Sequence, residues 1–230
     1  MMIDPKTFFA LELKGKSPEE IMTVIRGLKR RINHLKTVLE HPEYTHTICP
    51  SEDVQLSCNR EYLEEAIAAL EACGETYKPT INEQKSIDFN NNILNITKIT
   101  FHIGGFFGPN TDVSITVDDK VHTYICEMSD PVSIMKECEY EFDKEDFFEY
   151  FPDLHMGEWR KHYDLQKYGL CVCDGTQWEL SIEYNNGRKP FKSSGDNAYP
   201  YNFKMFLEII GVEEGFYSMY VDEDDEEEDD

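Results

Sequence analysis

No stretch of this 230-residue chain approaches the roughly 20 consecutive apolar residues that a helix needs to cross a bilayer, so no membrane span is expected. The opening residues Met1, Met2, Ile3, Asp4 and Pro5 lack the basic and then apolar blocks of an export signal. Cysteine occurs seven times, an odd count that does not fit a closed disulfide framework. Reduced, structural thiols in a cytoplasmic protein are the expectation. Basic residues are scarce: Lys and Arg total 22 against 46 Asp and Glu, a formal charge of −24. Nine of the acids are consecutive at 222–230, and without them the body still carries −15. That balance argues against broad nucleic-acid binding and against an anionic membrane surface. A block of acids this dense repels itself, so residues 217–230 are expected to form a disordered tail.

What is present suffices for a packed core, with 40% hydrophobic and 13% aromatic residues. Asp4 followed by Pro5 reads as a helix cap with proline in the first turn. A short helix over 6–14 follows, ending at Gly15 and burying Phe8, Leu11 and Phe9. Ser17-Pro18-Glu19-Glu20 is a capping box, and Ile21, Ile25, Leu28, Ile32 and Leu35 recur at helical spacing behind it. The helix is predicted over 18–40. A second helix, capped at Asn59, carries Leu63, Ala66, Ile67 and Leu70 and stops at Gly74, making an antiparallel helical hairpin with the first. The polar stretch 77–92 marks the expected border of a helical region, 1–88.

Beyond it the period changes from helical to alternating. Strands over 96–103, 113–117 and 121–126 form a meander. Short helices follow over 143–150 and 156–163. Trp178, Leu180, Ile182 and Tyr184 then alternate with polar residues up to Asn186-Gly187, a hairpin turn signal, and a partner strand spans 188–193. A last helix runs over 199–210 to Gly211. The fold class is therefore α+β: an N-terminal helical hairpin, then an antiparallel-sheet domain over 89–216 with interspersed and C-terminal helices.

Gly104-Gly105, Trp159, Asp174-Gly175-Thr176-Gln177-Trp178 and Gly195-Asp196-Asn197-Ala198-Tyr199-Pro200-Tyr201-Asn202-Phe203, in that order, resemble a family of uncharacterised bacterial proteins. The front half, over 25–42 and 48–54, looks like members that share the helical segment. The resemblance spans most of the chain apart from the acidic end. It implies no activity, cofactor or partner, so no catalytic residue is carried over.

The residues themselves offer a few candidate sites. Asn197 and Tyr199 stand beside a glycine break ahead of a helix, where backbone amides can meet a ligand. The alternative is that Asn197 caps the helix and Tyr199 anchors it on the sheet. Trp178 reads as part of a core stripe by period two, or else as an exposed aromatic platform. The glycines Gly104, Gly105 and Gly108 precede a strand, with no Gly-Lys-Ser/Thr after them, and read as a bend. Cys171 and Cys173 with His155 and His162 bring together zinc-ligand types, but the cysteines are too close for the usual knuckle, and no metal or cofactor is expected.

Arg26, Lys29 and Arg30, with Arg31, His34 and Lys36, gather positive charge on one helix of an acidic chain. Nucleic acid is expected, if at all, only on this basic face of 18–40; another protein or the acidic tail would also suit it. No nucleophile elbow or Cys–His signature marks a covalent enzyme. The leading expectation is a cytoplasmic, non-enzymatic protein-interaction module. Two alternatives stand beside it: a hydrolase drawing on Asp174, Asn197, Tyr199 and His102, and an acidic nucleic-acid mimic that occupies a basic protein groove.

Overall fold

The computed structural model describes residues 2–45, 48–105, 109–129, 134–170 and 175–212. The acidic tail, Asp174, Cys171, Cys173 and residues 106–108 lie outside the described residues. The chain divides into two compact units, Met1–Thr80 and Ile81–Asp230.

The first unit is helical. Asp4 accepts the Thr7 amide at 3.0 Å and starts α1 (Pro5–Phe8). The chain then widens into a π-helical turn, Phe9–Leu13. That widening shifts the buried face: Phe8 and Leu13 are buried, whereas Leu11, expected inside, is 68% exposed. Helix α2 (Pro18–Leu39) begins at the expected capping box, with Ser17 and Glu20 bonded reciprocally.

Helix α3 (Glu52–Ala72) starts well before the expected cap. Asn59 is not a cap; it is buried mid-helix, where its side-chain amide donates to the Gln55 carbonyl at 2.6 Å. The facing rows are Ile21, Ile25 and Leu28 on α2 and Tyr62, Ala66, Ala69 and Leu70 on α3. The alanines let the two helix backbones approach closely. Phe8 stacks on Tyr62 at 4.3 Å, and the Tyr62 hydroxyl bonds both backbone groups of Ile3. The N-terminal turn is thus fastened to α3 by one ring and one hydroxyl.

The second unit opens with α4 (Ile81–Asn90), a helix inside the polar stretch read as a border. The expected border at 88 falls within it. Only Phe89 of α4 is buried, which is why its sequence looks like loop. Its backbone lies against Gly157, where a Cβ would come within 2.4 Å of the Ser86 Cα.

Among the described residues seven strands follow: β1 (Ile96–Gly105), β2 (Asn110–Val117), β3 (Lys120–Met128), β4 (Ile134–Asp143), β5 (His162–Asp164), β6 (Thr176–Tyr184) and β7 (Phe191–Asp196). Their order is β4-β3-β2-β1-β6-β7-β5, antiparallel throughout except for the β5–β7 pair. Two further helices are α5 (Lys144–Phe148) and α6 (Phe203–Ile210). This is the expected α+β class, with one strand, β4, where the sequence reads only as acidic.

The expected helix over 156–163 is replaced. A 3-10 turn spans Met156–Glu158, after which the chain extends at Trp159 and joins the sheet as β5. Helix α6 likewise begins at Phe203 and not at Tyr199. One side chain links the two corrections. Asn202 stands at the helix start without capping it; its amide bonds the Leu154 carbonyl, and its oxygen accepts from the Trp159 indole at 3.0 Å.

One face of the sheet is closed. Ile99, Phe101 and Ile103 of β1, Val113 and Ile115 of β2, and Trp178, Leu180 and Ile182 of β6 are buried with Phe148, Phe151 and Leu154 and with Phe203, Phe206 and Ile210 of α6. Alternation does this: successive side chains of a strand point to opposite faces, so the apolar half goes inward together.

Candidate functional site

The same alternation sends the polar half of each strand to the other face. Register places Thr100 of β1 between Ser114 of β2 and Ser181 of β6. Three short hydroxyl side chains thus lie side by side. Taller neighbours flank them: Tyr124 lies opposite Ser114, and Lys192 lies opposite Ser181. A low floor between high walls makes a depression of about 510 Å³, whose rim includes His102, Asp112, Glu179 and Lys161. A smaller one of about 400 Å³ adjoins it past Tyr124, toward His122, Glu139 and Glu141.

The rim is charged, and some of the charges at and near it are paired. His102 lies 2.7 Å from Asp112. Lys120 bonds Glu141 at 2.6 Å, which raises the lysine pKa and lowers that of the carboxyl. The Tyr124 hydroxyl donates to Glu137 at 2.5 Å, and that bond is the main reason its pKa is pushed well above the usual value. Such a phenol stays protonated and acts as a donor. The floor itself is neutral and can both donate and accept.

At the β5 end of the face, His162 holds Nδ1 at 2.9 Å from the Ser194 hydroxyl and Nε2 at 3.5 Å from Asp196. An imidazole between a carboxylate and a hydroxyl is the arrangement that activates a serine. Here the carboxylate contact is longer than a good hydrogen bond. Ser194 also donates to the Lys161 carbonyl at 3.4 Å. Sequence reasoning missed this group because it depends on a parallel pairing of β5 with β7 that nothing local announces.

His102 and His162 apart, several of the residues singled out from sequence make contacts within the fold. Trp178 is fully buried; it belongs to the core stripe and offers no exposed platform. Its indole donates to the Ala198 carbonyl at 3.0 Å, and its ring meets Phe203 at 4.7 Å and Trp159 at 6.1 Å. Gly195 makes room for that indole: a Cβ there would stand 2.4 Å from the indole nitrogen and 2.5 Å from the Ala198 carbonyl oxygen.

Asn197 does not cap α6. It adopts a left-handed backbone at φ 52°, and its side-chain oxygen accepts the Thr176 amide at 2.8 Å. Its backbone N–H donates to the Thr176 carbonyl at 2.8 Å. Asparagine tolerates this backbone better than most residues, and the two bonds hold the start of β6 to the end of β7. Gly175 lets it approach, since a Cβ would fall 2.0 Å from the Asn197 oxygen. Tyr199 is half-buried, its ring 5.0 Å from Phe203. Of the hydrolase group anticipated from Asp174, Asn197, Tyr199 and His102, His102 is engaged by Asp112, and Asp174 lies outside the described residues.

In the helical unit, Arg26 and Arg30 are exposed, and Arg30 Nε donates to the Arg26 carbonyl at 3.4 Å. Lys29 is turned to Tyr77, donating to its hydroxyl at 3.0 Å with the charge 5.6 Å from the ring centre. Part of the basic patch therefore serves contacts within the unit. Among the described residues, no group of three or more His, Cys, Asp and Glu could hold a metal ion. No described helix is long and apolar enough to cross a membrane. Compared with family models, with curated proteins and with solved structures, the chain finds no significant match in any of the three.

Proposed function

We propose that this protein is a non-enzymatic protein-interaction module whose recognition surface is the open, hydroxyl-floored face of the sheet. The observation that carries this reading is the row Ser114–Thr100–Ser181 sunk between Tyr124 and Lys192. A broad concavity of neutral hydroxyls with charges of both signs at its rim suits a polar protein surface that exchanges many modest hydrogen bonds. The pattern that resembles uncharacterised bacterial proteins is, on this reading, a pattern of structural locks around Trp178 and Asn197, and the contacts are made by less conspicuous residues.

The test is to fill the depression. Ser181→Tyr places a ring on the floor without touching the core face. Proteins retained by the wild-type chain on an affinity matrix, at matched loading, should be lost by the filled variant while its far-UV circular dichroism is unchanged. An identical retained set for both chains would overturn the proposal.

A second reading has one observation behind it. A hydrolase would use Ser194 as nucleophile, His162 as base and Asp196 to orient the ring. A fluorophosphonate probe that labels the wild type and not Ser194→Ala would establish it; no labelling of the wild type removes it. The acidic-mimic reading leans on residues 222–230 and would show as salt-sensitive capture of basic proteins that is lost when those residues are deleted.

A further inference from the structure

The floor of the open face belongs to a register row that runs across six strands. Glu139 of β4 lies opposite Tyr124 of β3, Tyr124 opposite Ser114, Ser114 opposite Thr100, Thr100 opposite Ser181, and Ser181 opposite Lys192 of β7. The row carries an acid at one end and a base at the other. Five strand spacings of about 4.8 Å set these ends roughly 24 Å apart. Among the described residues the side chains of Glu139, Ser114, Thr100, Ser181 and Lys192 have no hydrogen-bond or ion-pair partner. Tyr124 differs: its hydroxyl is given to Glu137, and the residue remains 36% exposed.

The order of these side chains is complementary to its own reversal. A two-fold axis that lies in the plane of contact and runs along the strands, between β1 and β2, lays a second sheet face down on the first with the row reversed. Such an axis keeps the strands of both sheets aligned, a common way for sheets to stack. It brings Lys192 of each copy over Glu139 of the other. The tall Tyr124 meets the short Ser181 of the second copy, so the wall of one floor enters the depression of the other. Thr100 meets Ser114, and two hydroxyls can bond with either one as donor.

The flanking rows tolerate the same operation. On one side it sets His102 over Asp112, and on the other His122 over Glu183. Asp112 and both histidines already have contacts within the chain, so they add no free bonding capacity. Their placement matters because no like charges come to stand opposite one another in the three rows, which would cost affinity. Three rows across six strands cover on the order of 500 Å² per copy, the lower end for a specific interface, so the pairing is weak and reversible.

We propose that the hydroxyl floor takes a second copy of this chain, in a face-to-face dimer held by two Lys192–Glu139 ion pairs and two Tyr124–Ser181 contacts. The inference rests on the reading of the open face as a protein-recognition surface and names the protein that it recognises. For an unrelated partner the reversal symmetry of the row has no use; for a two-fold dimer it is a requirement.

Sedimentation velocity of the full chain at physiological salt, over a series reaching high micromolar concentration, tests it with charge reversals. The wild type should show a reversible monomer–dimer equilibrium. Lys192→Glu and Glu139→Lys should each weaken it by about tenfold or more, because either change turns two attractive pairs per dimer into two repulsive ones. Glu139→Lys is the stricter of the two. It makes an acidic chain less negative, so simple charge repulsion predicts tighter association and the proposed interface predicts looser. An equimolar mixture of the two variants restores both ion pairs at the net charge of the wild type, and it should dimerise as the wild type does.

A monomer at every concentration, a Glu139→Lys chain that associates as well as the wild type, or a mixture no better than its components would each overturn the proposal. So would a dimer that survives Ser181→Tyr, which fills the space taken by Tyr124. A monomeric chain whose retained proteins are lost in Ser181→Tyr removes the second copy and leaves the floor as a site for others. A dimer that follows the charge pattern, beside an unchanged retained set, leaves the second copy and removes the others.

Discussion

The two faces of one sheet are made from the same strands, yet they answer to different rules. Along β6, Trp178, Leu180 and Ile182 are buried, whereas Glu179, Ser181 and Glu183 lie on the open side between them. On the closed face, shape is over-determined: an indole needs the missing Cβ of Gly195 and the carbonyl of Ala198. On the open face, substitution meets solvent. The closed face should therefore be costly to alter and mute in binding, and the open face cheap to alter and eloquent in binding.

The sharpest way to break this contrast is to truncate neighbours on one strand. Trp178→Ala should cost about 3–5 kcal/mol in urea unfolding, through lost burial and the cavity left behind. Glu179→Ala, next in sequence and on the open side, should stay within about 0.5 kcal/mol. Comparable losses for both would mean that the open face is structural after all.

Gly195→Ala should follow, near the upper end of about 1–3 kcal/mol, because the added methyl meets an indole and a backbone carbonyl that cannot both move away. A thermal melt is sufficient to see it. Asn197→Ala should come next. It leaves the Thr176 amide without its acceptor, at about 1–3 kcal/mol, and forces alanine into a left-handed backbone. Asn197→Gly loses the same acceptor but not the backbone fit, so it should be the milder of the two. The reverse order would show that the left-handed backbone is not what selects this residue.

Tyr184→Phe should have the smallest effect and the opposite sign. The Tyr184 hydroxyl is buried without a hydrogen-bond partner among the described residues, so removing it should be neutral or stabilising by up to about 1 kcal/mol. Burial raises the Tyr184 pKa to about 12. A folded-state pKa above the ordinary ~10 gives stability that is whole below pH 10 and lost as pH climbs through 12. Burial does the same to Tyr163, also raised to about 12. Denaturation between pH 10 and 12 should thus be gentler in Tyr184→Phe than in the wild type, and a matching alkaline decline would assign it to Tyr163 and other groups.

Helix α2 was legible because its signals are local: Ser17 and Glu20 at capping spacing, then apolar residues every three or four positions. The Trp178 strand was legible for the same reason, through period two, although its partner strand begins at Phe191 and not at Arg188 directly after Asn186-Gly187. Helix α4 was not, since it buries little beyond Phe89 and so carries no stripe. Strand β4 alternates from Glu137 to Phe142, but with glutamate as its polar half it read as an acidic segment.

The hydroxyl floor was invisible for a deeper reason. Thr100, Ser114 and Ser181 are unremarkable residues far apart in the chain, and only strand register makes them neighbours. Trp178, Asn197 and Gly195 drew attention because packing constrains them so tightly, and that constraint is a property of the fold.

The central place of β1 has a consequence for how the chain is made. Its β2 side is satisfied at once by the hairpin that follows, but its other side waits for β6, when Ile103 meets Trp178 and Ile96 meets Tyr184. On a ribosome that adds about 5–20 residues per second, all of β2, β3, β4 and α5 must emerge first, so the middle of the future sheet stands as a bare edge for on the order of seconds. For that interval the growing chain depends on its hairpins closing quickly and on the charges of β4 keeping neighbouring nascent chains apart.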